Sequence, residues 1–345
     1  MNDKETRREF LVKSAGAGVA VLAGSCGSQE RSSEEPAVVA PREPLFKISL
    51  AQWSLHLGLF GSDPGETYGW EEFGRIVKTD DYPTVLAGDI DPLDFATVAR
   101  RDFGIDAVEY TNLFYFDRAR DERYIAELKK RADDEGVRNV LIMCDAEGDL
   151  GDTDQVVRAQ AVENHHKWVE AARFLGCHSI RVNASSDPLL PAAEQAKLAA
   201  DGLRQLCEFA DSQGINILVE NHGGLSSDAL WLVDVMKLVD HPRVGTLPDF
   251  GNFEIEDGKW YDRYKGIAEL MPFAKSVSAK SYEFDESGNE TSMDFKKIMR
   301  IVLGAGYRGY VGIEFEGTEI SEPEGILATK ALLERLRDEL SSEFS

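Results

Sequence analysis

Residues 192–224 read AAEQAKLAADGLRQLCEFADSQGINILVENHGG, and their order decides the fold. Residues 192 to 212 have helical periodicity, Gly214 ends the pattern, and residues 215 to 221 form a short β-branched run that stops on polar residues. The same alternation extends in both directions. Further strands are predicted over residues 46–52, 107–111, 139–144, 179–183, 244–249, 276–280 and 310–316. Helical patterns occupy 124–135, 156–175, 227–239, 264–273, 295–303 and 324–340, and Gly104, Gly136, Gly176 and Gly306 each stand just before the next strand. Strand followed by helix, eight times in about 300 residues, predicts a parallel (β/α)8 TIM barrel in a single α/β domain over residues 45–340. The competing arrangement is a doubly wound open sheet. Its nucleotide-binding versions lack support, since no GxGxxG follows the first strand and no GxxxxGK[ST] occurs.

The rest of the chain frames this domain. Residues 1–26 carry Arg7-Arg8, Phe10-Leu11 and a Gly- and Ala-rich apolar stretch, similar to a twin-arginine export signal. That stretch falls short of the roughly 20 residues that cross a bilayer. Ala23-Gly24-Ser25-Cys26 also resembles a lipobox, in which Cys26 becomes the lipid anchor and the sole route to a membrane. Ser, Glu and Pro dominate residues 27–44, a composition suited to a flexible linker. The expected location is therefore outside the cytoplasm, as a periplasmic protein or a membrane-anchored lipoprotein. Between the first two strands, Leu57 to Ile90 hold Tyr68, Trp70, Phe73 and Tyr82, an aromatic insertion placed to act as a lid or a sugar platform.

The chain has 345 residues, with 62 acidic against 38 basic side chains and a net charge of -24, which opposes binding to a phosphate backbone and excludes nucleic acid as partner. Four cysteines without a CxxC pair give neither a zinc knuckle nor a disulfide framework.

In a barrel of this kind the active site collects at the C-terminal ends of the strands. Those ends are acidic: Glu109, Glu220 with His222, Asp249 with Asn252, and Glu314 with Glu316, accompanied by Arg181, Asn183 and Lys280. Side chains alternate along a strand, so Glu220 and His222 share a face, as do Ser278 with Lys280 and Arg181 with Asn183. Three carboxylates in one mouth, Glu220, Asp249 and Glu314, cost several kcal/mol in repulsion and desolvation unless a cation compensates. Oxygen-rich ligation favours Mn2+ or Mg2+, with Co2+ or Zn2+ as alternatives. Trp53, at the end of the first strand, offers a ring for stacking on a sugar or for core packing. His56 is a weaker contact candidate, while His165, His166 and His178 read as packing or surface residues.

The strings SLAQWSLH, GIDAVEYTN, AARFLGCHSIRVNA, ILVENHGG, VGTLPDFGNF, VSAKSYEF and GYVGIEFEG run in order from residue 49 to residue 317. Together they resemble the xylose isomerase-like TIM barrel family of sugar isomerases and epimerases, which also includes the AP endonuclease family 2 branch. The resemblance implies a divalent ion held by Glu, Asp, His and Glu at strands five to eight, matching Glu220, Asp249 and Glu314 here. Ser278 occupies the His place, Lys280 remains, and His222 is the substitute imidazole. The DNA-repair branch uses His-rich zinc sites, which six histidines and this acidity do not suit. The family's barrels often pair or form tetramers, so a homo-oligomer is expected.

The expected function is a metal-dependent sugar isomerase or epimerase working by proton transfer through an enediolate, with Glu220 and Glu314 as acid and base and Lys280 as oxyanion partner. Trp53, Glu109, Arg181, Asn183, Asn252 and Glu316 are the substrate-binding candidates. Two alternatives stand beside it: a lyase or dehydratase cleaving 3-keto-sugars or keto-glycosides by β-elimination, and a non-catalytic sugar-binding lipoprotein.

Overall fold

The computed structural model describes residues 43–344. Eight parallel strands form one sheet: β1 (Lys47–Ala51), β2 (Ala107–Thr111), β3 (Arg138–Met143), β4 (Ser179–Val182), β5 (Asn216–Glu220), β6 (Val244–Leu247), β7 (Val277–Ser281) and β8 (Tyr310–Phe315). Their order, β6-β5-β4-β3-β2-β1-β8-β7, leaves β6 and β7 at the two edges. Pro248 has no amide hydrogen and ends the regular ladder of β6. The edges nevertheless meet: Ser278 N donates to Pro248 O at 3.0 Å, Phe250 N to Ser278 O at 3.1 Å and Lys275 N to Thr246 O at 3.1 Å. These bonds close the sheet into the TIM barrel.

Eight helices that alternate with its strands surround it: α1 (Phe95–Arg101), α2 (Glu122–Asp134), α3 (Gln155–Leu175), α4 (Ala192–Asp211), α5 (Ala229–Val239), α6 (Arg263–Leu270), α7 (Phe295–Gly304) and α8 (Glu322–Phe344). Asp121, Asp154, Asp228, Asp262 and Asp294 cap α2, α3, α5, α6 and α7, each side chain accepting from backbone amides of the first turn. Each such cap stabilises a helix start by about 1 kcal/mol. At the other end of α3, Gly176 takes φ 82° and donates its amide to the last turn, as an αL cap requires.

The core has two parts. Helix and outward strand side chains build the layer around the barrel, while Ala51, Ala107, Val140, Leu141, Met143, Leu218 and Leu247 form a smaller apolar cluster within the sheet. Above that cluster the inward positions turn polar, which is what positions the site. The stretch from residue 52 to residue 94 folds into short helices, His56–Phe60, Pro64–Tyr68 and Trp70–Ile76, with single 3-10 turns. A small hairpin, Glu254–Glu256 with Lys259–Trp260, follows β6 and was not expected from the sequence. No described helix is long and apolar enough to cross a membrane. The signal segment, Cys26 and most of the linker lie outside the described residues.

Candidate active site

Glu220 ends β5, Asp249 follows β6 and Glu314 lies in β8, so three of the last four strands carry a carboxylate at one end of the barrel, with Ser278 of β7 between the second and the third. Each is at most 4% exposed, and one oxygen from each lies within 4.8 Å of the others. Strand pairing sets Gly312 beside Ser278 and Glu314 beside Lys280. The Ser278 hydroxyl therefore stands between two acids, 2.6 Å from Asp249 Oδ2 and 3.0 Å from Glu314 Oε2.

Two buried cations offset part of this charge. Arg181 on β4 sits 2.7 Å from Asp145 and 2.8 Å from Glu220, and Lys280 lies 3.0 Å from Glu316 and 3.4 Å from Glu314. Asn221 fixes the loops: its side-chain amide donates to the backbone oxygens of Asp249 and Asn252, and its oxygen accepts from Asp249 N. Asp249 Oδ1 in turn accepts the amides of Gly251 and Asn252 at 2.7 and 2.8 Å. The Asn252 side chain donates to Glu220 Oε1 at 3.3 Å.

Burial is the leading cause of the shifted acidities. It pushes Glu220 up to about 7, with Arg181 opposing and the Glu314 charge adding. Asp249 is pushed up to about 6, with Lys280 opposing, and Glu314 is also raised. Burial acts against charge on Lys280, but Glu316, Glu314 and Asp249 outweigh it and hold the ammonium well above its usual range. Asp145, despite burial, is held down by Arg181.

Five acids, Asp145, Glu220, Asp249, Glu314 and Glu316, thus face two cations. In addition, the Arg181–Glu220 approach is not aligned as a hydrogen bond, and Glu220 Oε2 is buried with no hydrogen-bond partner. A buried carboxylate oxygen that accepts no hydrogen bond, beside two further carboxylates, fits a divalent cation, and an all-oxygen donor set suits a hard ion. The cleft above has a volume of about 440 Å³, and Trp53, Trp70, Asp145, Arg181, Lys280 and Glu316 line it.

The chain matches the family model of the xylose isomerase-like TIM barrel over residues 98–338. It belongs to that family. Within the xylose isomerase-like barrels, two curated relatives share shorter stretches with it. The C-glycoside deglycosidase alpha subunit of Arthrobacter globiformis is 47% identical over 49 residues, 14% of either chain. The 3'-dehydrocarminate deglycosidase alpha subunit of a Microbacterium species is 30% identical over 146 residues, 39% of either chain. The matched region is thus well under half of each relative. In fold the chain is similar to 3-keto-D-glucoside 4-epimerase from E. coli, with TM-score 0.59 and 18% identity over 71% of this chain and 94% of that one.

Sequence reasoning placed Glu220, Asp249, Glu314, Lys280, Arg181, Asn252 and Glu316 near one another, and the structure brings them together. Asn183 joins through Asp145, to which its Nδ2 donates at 2.8 Å. Two expectations are corrected. His222 is not part of the carboxylate cluster, because β5 ends at Glu220, Asn221 turns in and His222 is left exposed at the rim. Glu109 does not line the cleft: it is fully buried in the barrel, accepting from Ser49 Oγ at 2.6 Å, with Gly312 leaving the room it occupies. Trp53 stacks on His56 with ring centroids 5.0 Å apart and lies 5.9 Å from Trp70. His165 is buried against the Ala161 carbonyl, His166 stacks on Phe209, and Cys144, Cys177 and Cys207 are buried free thiols.

Asp145 was missed. It directly follows the apolar run of β3, Val140-Leu141-Ile142-Met143-Cys144, and the strand-end rule applied there would have found it.

Proposed function

We propose that this chain is an enzyme that moves a proton at the carbon next to a sugar carbonyl, an isomerase or epimerase in its overall chemistry. The observation that carries this reading is the pair Glu220 and Glu314, both raised by burial in one mouth, Glu220 to about 7, and each paired with a different cation. A carboxyl group that titrates near neutral pH both accepts and returns a proton readily. One Glu removes the proton and the other returns one at the neighbouring atom or the opposite face. Lys280 offers its ammonium to the oxygen on which negative charge develops. Trp53 and Trp70 give the C–H face of a ring an aromatic surface. A divalent cation held by Glu220, Asp249 and Glu314 would supply Lewis acidity for the same carbonyl oxygen.

A second reading shares the first step and differs in the ending. The curated relatives are named deglycosidases, one for a dehydro compound. After the C–H bond breaks, the electron pair forms a double bond and the group β to the carbonyl leaves with its own bonding pair, taking a proton from the acid. The products are an unsaturated keto-sugar and the free aglycone.

Incubation with a 3-keto-glucoside and Mn2+ in deuterated water, read by mass spectrometry, tests both readings. Isomerisation or epimerisation preserves the skeleton and incorporates solvent deuterium, whereas elimination releases the aglycone. Binding without either change would leave a sugar-binding protein and sink both catalytic readings. We also propose export by the twin-arginine route, supported by Arg7-Arg8 and the segment after them. Cell fractionation of an Arg7→Lys, Arg8→Lys variant tests it, and unchanged export would refute it.

A further inference from the structure

A second cavity adjoins the catalytic cleft. Its volume is about 660 Å³, larger than the 440 Å³ of the cleft itself. His222 lines both spaces. Asn183 lines the outer one while its side chain donates to Asp145, which lines the inner one. The two rooms are thus neighbours, meeting at His222.

The outer room has its own chemistry. Leu190, Leu225 and Ile255 give it apolar walls, and the hairpin after β6 supplies one side. Asn183 Oδ1 is buried with no hydrogen-bond partner, so it is an acceptor that lacks a donor. Lys259 and Glu256 pair with each other at 2.7 Å, leaving no net charge at that edge. Apolar walls, a spare acceptor and a neutral rim suit an uncharged, partly apolar group carrying a hydroxyl.

We propose that the outer cavity is an aglycone subsite, so that the chain's substrates are glycosides of a bulky hydroxylated aglycone, of the phenol class, and not free sugars. The proposal rests on the sugar reading above and extends it to the other half of the substrate. The sugar ring occupies the cleft between Trp53 and the carboxylates, the glycosidic bond passes His222, and the aglycone lies against Leu190, Leu225 and Ile255 with its hydroxyl toward Asn183.

The test is equilibrium binding by calorimetry with the intact chain, using 4-hydroxyphenyl 3-keto-glucoside and methyl 3-keto-glucoside as probes. The phenolic glycoside should bind at least about tenfold more tightly, the order expected for burying one aromatic ring. Ser185 is exposed and lines the outer room, so Ser185→Trp should fill the space and remove this preference while leaving the methyl glycoside's affinity unchanged. Leu190→Ser, which strips an apolar wall without adding bulk, should reduce the preference by a separate route. Equal affinities for the two glycosides in the parent, or a parent preference that survives both substitutions, would overturn the subsite and leave the sugar reading intact. Binding of neither glycoside would overturn the sugar reading and this proposal with it.

Discussion

The hydroxyl of Ser278 stands within hydrogen-bond distance of both Asp249, at 2.6 Å, and Glu314, at 3.0 Å. A serine hydroxyl has one proton to donate, so both contacts are hydrogen bonds only when one of the two carboxyls is protonated. Ser278 is therefore a bridge between acids, in the position where the family resemblance implies a ligand histidine. Replacing it with Ala removes the bridge and leaves the two carboxylates facing each other. Ser278→Ala should lower the stability of metal-free protein by about 1–3 kcal/mol, and added Mn2+ should recover most of the loss. Urea unfolding with and without the ion measures this, and a loss that Mn2+ does not touch would argue against a cation at this place.

Protein purified without chelator should carry about one equivalent of a divalent metal by elemental analysis. Two of the three clustered carboxylates are lost in a Glu220→Gln, Glu314→Gln variant, which should retain none. No metal in the parent, even after Mn2+, Mg2+, Co2+ and Zn2+ are each added back, would remove the cation from the proposed chemistry.

Glu220 and Glu314 carry the proton in the proposed reaction. Substituting either singly by Gln keeps shape and hydrogen-bonding capacity but abolishes proton transfer, so turnover should fall by about 10²- to 10⁴-fold. Turnover within a factor of about two of the parent in either variant would remove that residue from the acid–base pair.

Burial pushes Glu109 up to about 8, with the Ser49 hydrogen bond opposing and the Glu314 and Glu220 charges adding. In the unfolded chain the same group titrates near 4.5. A raised folded pKa favours folding fully below pH 4.5, and the contribution is lost as pH rises through about 8. Glu109→Gln removes this titration while keeping an acceptor for Ser49. The variant's stability relative to the parent should therefore rise from pH 5 to pH 8, read as the difference in urea midpoint. A difference that stays constant across that range would show that Glu109 titrates normally in the fold.

Trp70 comes from the insertion between β1 and β2, is 57% exposed and lines the cleft beside Trp53. Its role in the proposed function is to hold the ring, not to move the proton. Trp70→Ala should raise KM several-fold with kcat changed less than about twofold, and a collapse of kcat at unchanged KM would contradict that role.

The sequence by itself determined the repeating unit. Helical and strand periodicities are local properties, and a Gly before five of the strands marks the joint, so all eight barrel strands lie within two residues of their expected ends. Alternation also predicted which residues of one strand share a face, since it needs no knowledge of the partner strand. What it could not predict is which inward residues meet across the barrel, because that depends on register and on where each strand stops. Glu109 was read as a residue of the mouth, but its level in the barrel and the absence of a side chain at Gly312 place it in the interior. His222 was assigned to the face of Glu220, but alternation ends with β5, and Asn221, tied to the Asp249 and Asn252 backbone, turns the chain first. Closure of the barrel was likewise a tertiary decision: Pro248 interrupts the β6 ladder, and the meeting with β7 through Ser278 sets Asp249 beside that hydroxyl. The side chains were written in the sequence; the distances between them follow from how eight strands close on one another.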